Sequence, residues 1–275
     1  MKIGVNTFGL GPYLQADEKN VWEGLKTAGV GAIEPCIAFH EVYPMDEAYI
    51  AVKKLGIFDG IFPVASMPVR LAKLRSMGFE VVSFQLNETP FTIEELSNVI
   101  TFMHKNDLRY CIYNFMNSSV EKIRVHSETI REAVQMFRKQ GVELLFHNHD
   151  MEWHKDADTS VMEWLLENIP ELRFEIDLGW TEYAGIDSLK ILEQYRNRFP
   201  ILHIKDIAKD GVAHVGKPFC VAPGEGILPL NEILEKVKNM DLIECGLIID
   251  QDDSIAGDIV ADISKAVERI RTVAI

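Results

Sequence analysis

Eight short runs rich in β-branched and aromatic residues punctuate this chain, and amphipathic stretches of helical period lie between them. The runs are KIGVNTF (2–8), GAIEPCI (31–37), EVVSFQL (80–86), RYCIYNF (109–115), VELLFHNH (142–149), LRFEID (172–177), ILHIKD (201–206) and LIECGLIID (242–250). Apolar residues of the intervening stretches recur at i, i+3 or i+4: Leu71, Leu74 and Met77; Leu96, Val99, Ile100 and Met103; Ile130, Val134 and Phe137. The same spacing holds for Val161, Trp164 and Leu165; Ile233, Leu234 and Val237; and Ile259, Ile263, Val267 and Ile270. Strands alternating with single helices pair in parallel, because each helix carries the chain back to the same end of the sheet, and eight such units can close into a ring. The expected fold is therefore α/β, a single (β/α)8 TIM barrel spanning residues 1–275 as one domain. A barrel of this kind takes about 250 residues. An open doubly wound sheet would carry G-x-G-x-x-G after its first strand, and NTFGLGP does not match that pattern.

Helix punctuation supports the reading independently of hydrophobicity. Thr92-Ile93-Glu94-Glu95 has the spacing of a capping box, in which threonine and glutamate side chains satisfy backbone donors left free at a helix start. Gly29, Gly78 and Gly141 each precede a strand and are expected to stop helices, the last behind Arg138 and Lys139, whose charge favours a helix C-terminus. The longer connections, about residues 38–68 and 207–229, are expected to form loops or short helices over one face.

Composition sets the partners. The formal net charge of −14 and the lack of a dense Lys/Arg run argue against nucleic acid. Cys36, Cys111, Cys220 and Cys245 form no C-x-x-C pair and read as buried free thiols. MKIGVNTFGL lacks the apolar core and cleavage site of a signal peptide, and no stretch approaches membrane-spanning length, so a cytoplasmic location without membrane attachment is expected. Oligomeric state is not readable from the sequence.

In parallel α/β barrels the ligand site lies at the carboxyl ends of the strands. The polar residues there are Asn6, Glu34, Gln85, Asn114, His147, His149, Asp177, His203, Lys205 and Asp250. Period two puts His147 with His149, Glu175 with Asp177, and His203 with Lys205 on common faces of three successive strands. Taken alone, His203 reads as a hydrogen-bonded core histidine, since buried polar groups are usually satisfied locally. Taken together, two or three imidazoles and two carboxylates at one barrel mouth suit a divalent ion such as Mn, Zn, Co or Fe.

The motifs FHNHDMEW, FEIDLGW, LHIKD and IIDQDD on the fifth to eighth strands, with Gly224-Glu225-Gly226 after the seventh, resemble those of the sugar phosphate isomerase/epimerase superfamily. Its xylose-isomerase-like barrels include inosose dehydratases, keto-sugar epimerases and endonuclease IV-type enzymes, and the resemblance runs over essentially the whole chain. It implies one divalent metal ion held by His147, Asp177, His203 and Asp250. Two of these depart from the family pattern: His147 stands where many members carry glutamate, and Asp250 is one methylene shorter than the usual glutamate. His149 and Glu152 are the alternatives to His147 as ligand.

The implied chemistry is metal-dependent isomerisation or epimerisation of a sugar or keto sugar, phosphorylated or inositol-derived substrates included, through an enediolate. Dehydration on the same scaffold and metal or sugar binding without catalysis are the alternatives. His149, Glu152, Lys205 and Asp250 are the acid and base candidates, and a solvated loop carboxylate is the alternative for Glu152. Asn6, Glu34, Trp180 and Glu225 are the candidate substrate contacts, with packing the plainer role for Trp180 and turn geometry the plainer reason for the glycines beside Glu225. His40, His104, His126, His154 and His214 are expected in exposed helices or loops.

Overall fold

The computed structural model describes residues 2–39, 57–87, 92–114, 119–209, 213–214 and 217–274. Its main sheet is parallel throughout and contains β1 (Ile3–Asn6), β2 (Ala32–Glu34), β3 (Cys36–Ala38), β4 (Ile61–Pro63), β5 (Ser83–Leu86), β6 (Tyr110–Tyr113), β7 (Glu143–His147), β8 (Arg173–Asp177) and β9 (Ile201–Ile204). Two short antiparallel pairs follow, β10 (Asp206–Ile207) with β13 (Cys220–Val221) and β11 (Ala213–His214) with β12 (Lys217–Pro218). The last strand of the main sheet is β14 (Leu247–Ile249), and the order is β2-β1-β14-β9-β8-β7-β6-β5-β3-β4.

This corrects the expectation of eight uninterrupted strands closing on one another: among the described residues the sheet is a curled, barrel-like ladder of ten. GAIEPCI is split at Pro35, which has no N–H to give to a ladder, so β2 pairs with β1 while β3 pairs with β5. Ile61–Pro63, read only as part of a connection, adds a strand beside β3. At the seam the curl returns the β2 flank to the segment entering β5. There Ile33 N donates to Glu80 O at 2.8 Å, Glu80 N to Gly31 O at 2.9 Å and Gln85 N to Pro35 O at 3.0 Å.

Helices cover the outer face: α1 (Gly11–Ala28), α2 (Met67–Ser76), α3 (Ile93–Lys105), α4 (Val120–Val125), α5 (Ser127–Lys139), α6 (Val161–Asn168), α7 (Leu178–Tyr183), α8 (Ser188–Tyr195), α9 (Leu230–Val237) and α10 (Ile259–Ala274). The capping box forms at the start of α3, where Thr92 Oγ1 accepts from Glu95 N at 3.2 Å and Glu95 Oε2 accepts from Thr92 N at 2.7 Å. Gly29, Gly78 and Gly141 adopt φ of 94°, 83° and 73°, the left-handed conformation that lets a helix stop and turn into the next strand. α1 is announced in the sequence by its stop at Gly29 and not by apolar spacing: non-helical backbone at Asp17 breaks the phase between Leu14 and the later apolar set Val21, Trp22 and Leu25. His104, His126 and His154 are exposed as expected, whereas His40, most of the 38–68 connection and the side chain of His214 lie outside the described residues.

Two apolar layers hold the fold. The larger fills the space between sheet and helices, and a smaller one, Ile112, Leu145, Ile201 and Ile248, packs as a separate cluster. Moving two residues along β6, β7, β9 and β14 keeps a side chain on the same face and one step nearer the strand ends. The residues reached are Asn114, His147, His203 and Asp250, all buried. The alternation that builds the inner apolar cluster therefore also delivers the polar layer beyond it.

Candidate metal centre

Register explains the convergence. Asp177 on β8 is the register partner of His203 on β9, and Glu175 is the partner of His147 on β7. Register partners on parallel neighbours point to the same side of the sheet. His147, Asp177, His203 and Asp250 each present one donor atom, and all four atoms lie within 4.8 Å of one another. The four residues are buried.

Hydrogen bonding leaves selected faces of these groups open. Asp177 caps α7, its Oδ1 accepting from Trp180 N at 2.8 Å, while its Oδ2 is buried without a hydrogen-bond partner. Asp250 Oδ2 takes Lys205 Nζ at 2.9 Å, and its Oδ1 is buried and unpartnered. His203 Nε2 sits 2.9 Å from both Glu34 Oε1 and Glu175 Oε1, whereas its Nδ1 is 3.3 Å from Asp250 Oδ2 without hydrogen-bond geometry. Buried donors and acceptors left open cost about 1–3 kcal/mol each, and here they cluster. Two imidazole nitrogens and two carboxylate oxygens form a donor set suited to a borderline divalent ion, so the residues present fit such a cofactor.

Charge is distributed unevenly within the cluster. Burial, with His203 and His149 nearby, holds the His147 pKa well below the usual imidazole range, leaving it neutral. Burial also disfavours the His203 imidazolium, but Glu175, Asp250 and Glu34 outweigh it and push the pKa well up. Asp177 is raised to about 7 by burial, against the pull of Lys205. Asp250 is driven well below the ordinary carboxylate range, burial being overcome by Lys205 and His203. Lys205 is raised well above its ordinary value because Asp250 and Asp252 outweigh its burial.

Two groups of side chains flank the four. On one side Glu152 is buried, not a solvated loop residue: its Oε2 accepts from His149 N at 2.8 Å and lies 3.7 Å from His149 Nδ1. Glu152 Oε1 and His149 Nδ1 are both buried without hydrogen-bond partners, and the His149 and His147 rings are 5.1 Å apart. On the other side Lys205 Nζ is 2.9 Å from Asp252 Oδ1 and 5.2 Å from the centre of the Trp180 ring. The Trp180 ring is in turn 6.3 Å from His149.

The remaining expected residues divide. Glu34 and Asn6 belong to the network but engage one another: Asn6 Nδ2 donates to Glu34 Oε1 and to Gln85 Oε1, each at 3.1 Å, and Ser83 Oγ donates to Glu34 Oε2 at 2.5 Å. Glu225 is not drawn into the cluster; it is exposed and pairs with Arg269 Nη2 at 2.8 Å. Its turn is fixed by Asp206, whose carboxylate accepts from the backbone of Ile207, Gly224, Gly226 and Leu228. A Cβ at Gly226 would lie 2.1 Å from Ile207 O, so close backbone approach accounts for that glycine.

Sequence reasoning assigned no role to Glu175 or Asp252. Glu175 shares the inward face of β8 with Asp177, a signal that period two had already supplied; Asp252 lies beyond a strand end and had none.

No family model matches the chain. An inosose dehydratase of Clostridium perfringens is 28% identical over 152 residues, covering 50% of this chain and 50% of that protein, so the match spans about half the length of the curated relative. Among solved structures, a sugar phosphate isomerase/epimerase from Parabacteroides distasonis superposes with a TM-score of 0.70 at 15% identity, covering 98% of this chain and 96% of the other. The apo form of 3-keto-D-glucoside 4-epimerase from E. coli gives 0.64 at 13% identity, with 99% of each chain covered. The chain thus shares the barrel-like fold of these solved structures and, over about half its length, is similar in sequence to an inosose dehydratase.

Proposed function

We propose that this chain is one barrel domain that isomerises or epimerises a sugar or keto sugar with the help of one divalent ion held by His147, Asp177, His203 and Asp250. The observation that carries the reading is the meeting of four buried donor atoms within 4.8 Å from strand ends that are far apart in sequence. A divalent ion in such a site polarises a carbonyl and the adjacent hydroxyl and acidifies the C–H beside them.

The chain's own groups then divide the proton work. Glu152 and His149, each with an open polar atom beside the cluster, serve as the base that takes the carbon-bound proton. Lys205 keeps its proton and supplies positive charge where the substrate oxygen becomes negative. Asp250 stays ionised, which suits a ligand rather than an acid. Trp180 walls the site beside Lys205 and His149. The net charge of −14 favours a small carbohydrate over a polyanion as partner.

The match to an inosose dehydratase favours a second reading, in which the same proton removal is followed by departure of a β-hydroxyl. Incubating the protein with keto sugars and inosose in deuterated water separates the readings. Deuterium entering at the carbon next to the carbonyl supports epimerisation or isomerisation; formation of an unsaturated ketone supports dehydration. A protein that binds ligand yet leaves every C–H untouched is a binder and ends the enzymatic reading. Purified protein is expected to carry about one divalent ion, a count on which the His203→Ala variant bears directly: unchanged metal content there counts against the ligand assignment.

A further inference from the structure

One carboxylate oxygen touches both imidazoles of the candidate metal centre. Glu175 Oε1 lies 3.1 Å from His147 Nδ1 and 2.9 Å from His203 Nε2. Glu175 is fully buried, and its own strand supplies Asp177 two residues further on. Glu34 Oε1 closes the same edge of His203 at 2.9 Å and is itself held by Asn6 and Ser83.

A neutral imidazole has two unlike nitrogens, and the hydrogen bond made by one decides which is left for a metal. A carboxylate oxygen has two lone pairs, enough to accept from both rings at once. We propose that Glu175 is the positioning residue of the centre: its Oε1 fixes His147 as the Nδ1–H form and, beside Glu34 Oε1, which holds the hydrogen bond of His203 Nε2, it keeps the Nε2 proton of His203 in place. The two histidines then offer opposite ring nitrogens, Nε2 of His147 and Nδ1 of His203, to the same ion. An independent feature agrees: His203 Nδ1, the nitrogen turned away from Glu175, is buried without a hydrogen-bond partner, as are Asp177 Oδ2 and Asp250 Oδ1. A carboxylate that merely packed would have no need to meet both rings through a single oxygen.

The inference rests on the metal reading, and the test separates the two. Wild type, Glu175→Met and Glu175→Gln are stripped of metal, checked for folding by circular dichroism, titrated with Co²⁺, and studied by ¹⁵N NMR with labelled histidine. Methionine keeps the volume and removes the acceptor; glutamine keeps an oxygen able to accept. Expected are, in the wild type, His147 as the Nδ1–H form and, once an ion is bound, His203 as the Nε2–H form, with Co²⁺ affinity about 10–100-fold weaker in Glu175→Met and affinity and tautomers near wild type in Glu175→Gln. A folded Glu175→Met variant that binds Co²⁺ as tightly as wild type overturns the positioning role while the metal reading stands. Equal losses in both variants also overturn it, because charge rather than an accepting oxygen would then matter. Failure of the wild type to bind Co²⁺ removes the metal reading and this inference with it.

Discussion

Lys205 Nζ and Asp250 Oδ2 stand 2.9 Å apart with both side chains nearly sealed from water. Asp252 takes the same ammonium at 2.9 Å, so one buried cation is shared by two carboxylates that follow β14. Removing one partner from a buried ion pair costs about 3–5 kcal/mol, because the charge left behind is uncompensated. Lys205→Met should therefore lose stability of that order in a chemical denaturation series, along with solvent deuterium exchange into substrate. A loss below about 1 kcal/mol, the range of exposed pairs, would mean that water reaches these groups in solution.

Asp177 performs two tasks with two oxygens, and one substitution can separate them. Oδ1 caps α7 through Trp180 N, whereas Oδ2 has no hydrogen-bond partner. Asparagine is as good an N-cap as aspartate but a far poorer metal ligand. Asp177→Asn should hold its melting temperature within a few degrees and lose divalent-ion binding by calorimetry. Retention of full affinity would remove Asp177 from the ligand set.

Metal affinity should rise with pH, and the sign follows from the proton inventory. The folded-state pKa of Asp177, about 7, lies above its ordinary value of 3.8, so the metal-free fold binds this proton more tightly than the unfolded chain does. Its contribution to stability is full below the ordinary value and is lost as pH rises through about 7. A bound ion demands the opposite, since ligands must be deprotonated. The His203 pKa is also raised, so its Nδ1 proton leaves on binding as well. Calorimetry in buffers of different ionisation enthalpy should find about two protons released per ion below pH 7 and about one above it. Release that does not fall across that interval would contradict the assignment.

Gly179 sets the distance between α7 and the backbone at Lys205, which joins β9 to β10. A Cβ there would lie 2.4 Å from Lys205 O and 2.9 Å from Lys205 Cβ, so the backbone would have to move. Gly179→Ala should cost about 1–3 kcal/mol through overpacking and shift Lys205 relative to Trp180. Thermal denaturation and the quenching of Trp180 fluorescence report the two effects; an unchanged melting temperature would show that the contact relaxes freely.

The residues themselves determined the alternation of strands and helices, the glycine stops after α1, α2 and α5, the capping box at Thr92, and the side of each strand on which His147, Asp177, His203 and Asp250 fall. All of these follow from local periodicity and backbone preference, which a sequence carries in full. Tertiary structure decided the rest, because neighbours distant in sequence do not announce themselves. Pro35 could be read as a poor ladder residue, yet only the curl of the sheet shows that the strand divides there between two partners. From the sequence Glu152 could be a base or a solvated loop carboxylate, and only the turn of 3-10 helix at Met151–Trp153 buries it beside His149. The pairing of Glu225 with Arg269, on the last helix, is likewise a tertiary contact that the sequence does not announce. The face on which a side chain points is a property of its own strand; the group it meets there depends on register between strands, which is fixed only when the sheet assembles.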